Sequence, residues 1–251
     1  MKVKILGCGP SFGVPSLNRG FGDCDPINPR NRRRRSSILI EDDGTSLLID
    51  SGPEVREQLL NAGRPNIDAV LYTHAHYDHM GGADDLRAAL NEDKRILPIY
   101  LSEYDEFQFK ERLQYIFQNQ KEPTFDVRVI RPFESFQINQ TVILPIPQQH
   151  GDGHSTGYRI KDFAYSTDVG EMGEVAFEAL KGIKVWILGV VTTSTDTYKH
   201  LNVERALKWI DRIRPERAYF THMGTKMDYD RLCQYLPSYI RPVYDGMEID
   251  I

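Results

Sequence analysis

Four side chains that commonly bind metal ions lie within six residues of one another. His74, His76, Asp78 and His79 follow the apolar run Ala69-Val-Leu-Tyr-Thr. Imidazole and carboxylate groups together suit zinc, iron or manganese. A lone histidine after a strand is most often an ordinary surface residue. Four potential ligands in the pattern H-x-H-x-D-H are far less often surface residues without a metal. The pattern therefore predicts a metal site on the loop that follows this strand.

Further histidines and aspartates also stand where predicted strands end. His150 and His222 each follow an apolar run, and Asp50 and Asp168 end two others. The carboxyl ends of strands are where layered α/β proteins usually gather their ligands. Taken singly, each of these residues also fits a capping or surface position. Taken together with the first four, they supply enough ligands for two metal ions.

The elements that must position these residues are short and mixed in type. Many helical patterns separate strands, which favours a layered α/β domain, while strand pairs without a helix between them indicate partly antiparallel sheets. We find no repeat, linker or break in composition, so we expect a single domain over residues 1–251. The β-rich runs are 2–6, 37–41, 46–50, 69–73, 96–101, 127–130, 141–146, 163–166, 185–191, 218–221 and 243–251, and the helical patterns are 54–62, 83–91, 104–118, 173–180, 203–213 and 229–236.

Composition excludes several classes of protein. Lysine and arginine number 31 against 36 aspartates and glutamates, a net charge of −5, so we expect no stable nucleic-acid partner held by bulk charge. No apolar run approaches the roughly 18–20 residues of a membrane span, and the first residues lack a signal-peptide pattern. The cysteines, Cys8, Cys24 and Cys233, are odd in number and far apart, which favours reduced thiols. We therefore expect a soluble cytoplasmic protein with no membrane partner, and leave open whether it forms a homodimer.

The order of these motifs resembles the metallo-β-lactamase superfamily over essentially the whole chain. The motifs are Asp50-Ser-Gly, Thr-His-x-His-x-Asp-His79, His150-Gly, Ser-Thr-Asp168 and Thr-His222. Within that superfamily, the glycine turn at 7–15 and the segment 244–249 are similar to the phosphoribosyl 1,2-cyclic phosphate phosphodiesterase branch, a relative of ribonuclease Z. The resemblance implies a four-layer αββα sandwich with the site at one edge.

The resemblance also implies a ligand for each coordination position. One metal would be bound by His74, His76 and His150, and the second by Asp78, His79 and His222, with Asp168 bridging both. Asp50 would hold a ligand histidine in its proper tautomer. Zinc or manganese is expected, and iron is compatible with the same ligands. His154 competes with His150 as a ligand, but the family spacing before Gly157-Tyr favours His150 and leaves His154 in the adjoining loop.

The activity that follows is hydrolysis of a small cyclic or nucleotide-like phosphodiester. Two cations that share a water lower its pKa to give a bridging hydroxide and clamp the attacking and departing oxygens. The expected catalytic residues are Asp78, at the metals, and His200, whose imidazole suits protonation of the leaving alkoxide. His200 also fits an ordinary surface position before a helix.

A basic run at 30–35 and the glycine turn supply candidates for substrate contacts. Such a run is usually a solvated loop, but arginine is well shaped for bidentate contacts to phosphate. Arg33, Arg35 and Ser11 are the residues that we expect to meet the substrate phosphate.

The chain departs from the branch that it resembles in one respect. That branch carries a cysteine-rich structural zinc site near its N-terminus, completed by a histidine after the last catalytic ligand. Residues 16–29 hold only Cys24, and Met-Gly-Thr-Lys follows His222, so we expect no structural cysteine–zinc site.

Other functions remain open on the same ligands. A nuclease resembling ribonuclease Z is disfavoured by the acidic balance and by the lack of a long basic arm. A thioester, ester or lactone hydrolase is an alternative, because the metals alone do not select phosphorus over carbon. A redox protein would be expected to carry a flavin-binding partner domain, and a non-catalytic scaffold would be expected to have lost ligands.

Overall fold

The β-rich runs assemble into two mixed sheets. The computed structural model describes residues 1–89, 95–118, 123–194 and 198–251. In the first sheet the strand order is β15 (Glu248–Asp250), β1 (Lys2–Gly7), β2 (Ser37–Asp42), β3 (Thr45–Ile49), β4 (Ala69–Leu71), β5 (Leu97–Ser102) and β6 (Phe125–Ile130). In the second it is β14 (Ile240–Pro242), β13 (Arg217–Thr221), β11 (Val185–Thr192), β10 (Phe163–Ser166), β9 (Gly153–Ile160), β8 (Thr141–His150) and β7 (Phe136–Ile138), with β12 (Leu201–Asn202) beside β11.

Each sheet has an antiparallel half and a parallel half. Strands β15, β1, β2 and β3 pair antiparallel, and β3 to β6 pair parallel. In the second sheet β7 to β10 pair antiparallel, and β10, β11, β13 and β14 pair parallel. The partly antiparallel sheets that the sequence predicts are therefore present.

Helices connect the strands and cover the outer faces of both sheets. They are α1 (Val55–Asn61), α2 (Tyr77–Met80), α3 (Glu103–Arg112), α4 (Gln114–Phe117), α5 (Glu174–Leu180), α6 (Val203–Ile213) and α7 (Tyr229–Tyr235), with 3-10 helices at Pro29–Asn31 and Ala83–Ala89. Side-chain caps start three of them: Ser102 for α3, Asn202 for α6 and Asp228 for α7. Among the described residues, none of the helices combines the length and the apolar character needed to cross a bilayer.

Period-two alternation along β2 shows how the layers stack. Ile38 and Ile40 lie in the apolar cluster that joins the two sheets, whereas Leu39 between them lies in a second cluster with Val55 of α1 and Phe109 of α3. Neighbouring residues on a strand point to opposite faces, so this sheet is buried on both sides. The order helix, sheet, sheet, helix confirms the predicted αββα sandwich.

Some predicted elements differ from the structure. The helical pattern 104–118 is divided into α3 and α4, and the pattern 83–91 forms a 3-10 helix to Ala89, with residues 90 and 91 outside the described part. The run 243–251 is not one strand. Only β15 lies within it, and a turn at Asp245-Gly246 separates β15 from β14, which ends at Pro242. His154 does not lie in a loop, because residues 153–160 form β9, a strand that the sequence analysis missed. Its polar, glycine-containing sequence hides a strand that is held by pairing on both sides.

Candidate metal centre

Three histidines gather where β4 and β8 end. The ligand atoms of His74, His76 and His150 all lie within 4.8 Å of one another, and His74 Nε2 is 2.8 Å from His76 Nδ1. His74 and His150 are buried, while His76 stands at the exposed edge. The structure thus brings together the three residues expected to bind the first metal.

A second group lies beside the first and is buried throughout. Asp78, His79, Asp168 and His222 also place their ligand atoms within 4.8 Å of one another. His79 Nε2 is 2.7 Å from one carboxylate oxygen of Asp168 and 3.2 Å from Asp78. These residues come from α2 and from the turns after β10 and β13, and they are the side chains expected to hold the second metal.

Asp168 stands between the two groups. Its Oδ2 faces His79, while its Oδ1 lies 3.3 Å from His222 Nε2 and 3.7 Å from His150 Nε2. One carboxylate therefore contacts residues of both groups, which is the position that a bridging ligand requires.

The chemistry of these donors fits divalent cations. Within the described part of the chain, Asp50, Asp78 and Asp168 pair with histidines rather than with lysine or arginine, so three buried carboxylates meet at one place. His79 Nε2 is buried and finds no well-aligned hydrogen-bond partner among the described residues. Burial, followed by the neighbouring imidazole of His79, lowers the pKa of His74 well below its usual value, which leaves its ring neutral. Neutral imidazoles and ionised carboxylates are what such cations need.

The outer nitrogens of the histidines are held by fixed partners. Asp50, which is fully buried, lies 2.7 Å from His79 Nδ1 and also accepts from the backbone N–H of Thr73 at 2.8 Å. The carbonyl oxygen of Lys199 accepts from His150 Nδ1 at 2.9 Å, and Ser36 Oγ is 3.1 Å from His222 Nδ1. With Nδ1 occupied, Nε2 of each ring is directed at the centre.

Of these partners only Asp50 was predicted from the sequence. Ser36 precedes β2 in no recognisable motif, and Lys199 acts through its backbone carbonyl, which no side-chain pattern can reveal. Asp50, by contrast, stands in the Asp50-Ser-Gly motif, and the family resemblance that this motif carries implied its role.

His200 lies at the rim of the same cluster. Its Nδ1 is 3.2 Å from Asp168 Oδ1, its ring stacks on His222 with centroids 5.5 Å apart, and its side chain is 20% exposed. Burial is the main reason that the pKa of His200 is lowered to about 4. The predicted catalytic histidine is therefore near the centre and partly open to solvent.

Two of the three expected phosphate contacts lie close to each other. Arg35 Nε donates to the carbonyl oxygen of Ser11 at 3.1 Å, and its guanidinium pairs with Glu54. A Cβ on Gly52 would lie 3.2 Å from Arg35 Cβ and 2.2 Å from the carbonyl oxygen of Asp78, so only glycine fits here. Arg35 therefore lies across Gly52 from a predicted metal ligand, and its contact with phosphate stays a prediction.

Arg33 is placed differently. Its side chain is buried, at 3% exposure, and its terminal N–H groups donate to the carbonyl oxygens of Met223, Gly224 and Met227 and to Asn31 Oδ1. A guanidinium with these partners is not available to a substrate phosphate. The expectation for Arg33 was wrong because a basic run does not reveal which of its members turns inward.

The protein is thus an αββα sandwich in which histidines and aspartates gather where strands of two layered sheets end. The chain belongs to the beta-lactamase superfamily domain family, whose model matches residues 45–223.

Curated relatives match the chain to different extents. A protein of Porphyromonas gingivalis (strain ATCC BAA-308 / W83) named octanoyltransferase is 30% identical over 99% of this chain but only 51% of its own length. The chain thus spans about half the length of that relative. A ribonuclease Z of Clostridium kluyveri is 30% identical over 39% of this chain and 28% of its own.

Solved structures match over the full length. One described as a new diphosphatase from the PhnP family superposes with a TM-score of 0.92 at 28% identity, covering 100% of this chain and 97% of the other. Zinc-bound PqqB from Methylobacterium extorquens superposes with a TM-score of 0.82 at 18% identity, covering 100% of both chains, which is a likeness of fold.

Proposed function

We propose that the chain is a dinuclear metal-dependent hydrolase that cleaves a small cyclic or nucleotide-like phosphodiester. The observation that carries the proposal is the position of Asp168: Oδ2 faces His79, and Oδ1 lies near both His222 and His150, so one carboxylate contacts both groups of donors. His74, His76 and His150 would hold one cation, and Asp78, His79 and His222 the other. Zinc and manganese both suit these ligands, with iron a further candidate.

Two bound cations would polarise a phosphoryl oxygen and lower the pKa of a water molecule, which supplies the nucleophile. The chain's own residues do the rest. Asp50 keeps His79 in one tautomer through the 2.7 Å contact with its Nδ1, and the carbonyl oxygen of Lys199 does the same for His150. Fixed ring orientations would hold the ligand nitrogens in position for the cations, which would offset negative charge on the phosphoryl group.

His200 is the residue that we assign to the leaving group. It is next to Asp168 but at the open rim, so a substrate can reach it. A phosphate anion beside the ring would favour the imidazolium form, which donates a proton to the departing alkoxide. The Cβ of Arg35 lies across Gly52 from the Asp78 backbone, and we assign its guanidinium, once it exchanges its Glu54 partner, to a non-bridging phosphate oxygen.

Phosphorus chemistry is favoured over carbon chemistry by the diphosphatase structure that superposes on this chain. That structure matches all of this chain at 28% identity, and it is described as a diphosphatase. A thioester, ester or lactone hydrolase is the second candidate, and the name octanoyltransferase of the P. gingivalis relative favours it. That name describes a protein twice as long, of which this chain matches one part.

Metal analysis and a substrate panel test the proposal. Purified protein should contain about two cations per chain, and it should hydrolyse bis-p-nitrophenyl phosphate, a cyclic nucleotide or a cyclic ribose phosphate in preference to a thioester. His76→Ala should abolish that turnover. Turnover of the thioester alone would favour the carbon-centred alternative.

A histidine variant tests the assignment of the leaving-group acid. His200→Asn should lower kcat about 10²- to 10⁴-fold with metal content unchanged, since general acid catalysis contributes that much. Lys208→Ala, on the exposed face of α6, is the control and should match the unmodified protein. Full turnover in His200→Asn would remove His200 from the mechanism.

A further inference from the structure

One residue in the ligand loop, Ala75, is held by a single helix through its N–H, its carbonyl oxygen and its side chain. Ala75 lies between His74 and His76, and its N–H donates to Asp105 Oδ1 at 2.9 Å. Its carbonyl oxygen accepts from the guanidinium of Arg112. Its methyl group is buried in the same apolar cluster as Phe109. Asp105, Phe109 and Arg112 all belong to α3, so this helix fixes the residue that separates two predicted ligands.

Asp105 is itself held in place. Its side chain is 1% exposed, and its second oxygen accepts from Ser102 Oγ at 2.6 Å and lies 3.5 Å from His154 Nε2. A buried carboxylate is costly unless its oxygens are satisfied, and here each oxygen has a defined partner. Asp105 thus presents one oxygen, in one orientation, to the backbone of Ala75.

Ser102, His154 and Asp105 are of the three residue types found in a hydrolytic triad, but their arrangement differs from that of a triad. Ser102 and Asp105 both approach the same nitrogen of His154, Nε2, at 3.2 and 3.5 Å. In a triad the carboxylate orients the ring through the other nitrogen, so that the base can face the serine. This cluster therefore orients Asp105 toward Ala75 and is not arranged for nucleophilic catalysis.

We propose that Asp105 and Arg112 are positioning residues that pre-organise His74 and His76 for the first cation. The inference rests on the proposed function, because it assumes that these histidines bind metal. His76 is exposed and follows a strand of only three residues, so packing alone gives it little restraint. Fixing both polar groups of Ala75 holds the two imidazoles on the same side of the loop before any cation arrives.

Cobalt titration of three variants tests this inference. Asp105→Ala removes the acceptor of the Ala75 N–H, whereas Asp105→Asn keeps an oxygen there and replaces the second, charged oxygen by an NH2 group. For Asp105→Ala we expect cobalt affinity at one of the two sites to fall about 10- to 100-fold, with the visible spectrum of that site changed and the other site retained. Asp105→Asn should restore the affinity and spectrum of the unmodified protein.

Ser102→Ala is the matched control. Ser102 caps α3 and contacts Asp105, but it does not touch Ala75. Its removal should lower the melting temperature of the metal-free protein and weaken cobalt binding far less than Asp105→Ala does, because Asp105 Oδ1 still accepts from the Ala75 N–H. Loss of affinity in this variant equal to that in Asp105→Ala would show that a weakened helix, not the Ala75 contact, is responsible.

The outcomes separate this inference from the proposed function. Cobalt affinity in Asp105→Ala equal to that of the unmodified protein, at both sites, would overturn the inference alone. An Asp105→Asn as weak as Asp105→Ala would also overturn it, because charge would then be the cause. Failure of the unmodified protein to bind cobalt or zinc would overturn the proposed function instead. If Asp105→Ala does not fold, Arg112→Ala decides, since the same site-selective loss supports the inference and unchanged affinity refutes it.

Discussion

Replacing Arg33 by methionine tests what its buried guanidinium contributes. Nη1 donates to the carbonyl oxygens of Met223 and Gly224 at 3.3 and 3.2 Å, and Nη2 donates to Met227 O at 2.5 Å and to Asn31 Oδ1 at 3.0 Å. Through these bonds one side chain joins the loop before β2 to the turn that follows His222. Methionine has a similar length and no N–H, so the carbonyl oxygens of Met223 and Met227 would lose their donor, whereas Gly224 O and Asn31 Oδ1 would keep the backbone N–H groups of Met227 and Tyr229.

The cost can be worked from these contacts. A hydrogen bond to a charged group contributes about 1.5–3 kcal/mol, and an acceptor left buried without a donor costs about 1–3 kcal/mol. Because the four bonds share one guanidinium, their contributions are not additive, and we expect about 3–5 kcal/mol in total. At about 2–4 °C per kcal/mol for a chain of this size, the melting temperature should fall by roughly 6–20 °C.

Thermal unfolding and steady-state kinetics together measure the result. Arg33→Met should unfold at lower temperature, while Arg32→Met, its exposed neighbour stacked on Phe21, should change stability by less than about 0.5 kcal/mol. If Arg33 contacted a substrate phosphate instead, its replacement would raise KM and leave the melting temperature unchanged. That second pattern, or a fall of less than about 2 °C, would refute the structural role described here.

Three further measurements address the metal site and a buried acid. Removal of metal by a chelator should lower the free energy of unfolding by about 4 kcal/mol for each cation lost, relative to protein with free metal at 1,000-fold its Kd, and identical melting curves would contradict the dinuclear site. Asp50→Asn should weaken metal binding about 10- to 100-fold in a competition titration, because His79 loses its carboxylate partner; undiminished affinity would exclude that contribution. Burial raises the pKa of Asp245 from 3.8 to about 6, so its stabilising contribution is present below about pH 4 and is lost as the pH rises through 6. Relative to Asp245→Asn, the unmodified protein should therefore lose about 3 kcal/mol between pH 4 and pH 7 in denaturant titrations, and a constant difference would show that Asp245 does not titrate in this range.

The predictable part of the site consists of side chains whose type is itself a signal. Six consecutive positions after an apolar run contain His74, His76, Asp78 and His79. Their convergence could therefore be expected without exact bounds for the strand or the turn. Asp168 was predictable for the same reason, because it closes another apolar run. Short apolar runs likewise predicted most strands, since burial on both faces of a sheet leaves continuous apolar stretches.

The unpredictable part consists of contacts between groups that carry no local signal. Asp105 lies thirty positions from Ala75, and it meets a backbone N–H, which every residue except proline has. The carbonyl oxygen of Lys199 is equally anonymous. Strand β9 was missed because its residues are small or polar, and it becomes a strand only through its pairing with β8 and β10. Such features depend on tertiary structure, which periodicity along the chain does not encode.

Backbone conformation links the fold to the site. Asp50, Asp168 and His222 follow β3, β10 and β13, and all three adopt the left-handed region, with φ of 64°, 48° and 57°. That region costs a residue other than glycine about 1–2 kcal/mol, although aspartate and histidine enter it more readily than most. Glycine would meet the backbone requirement at each turn without that cost. The presence of carboxylate and imidazole there is therefore explained by what the side chains do at the centre, and the buried strands before them offset the strain.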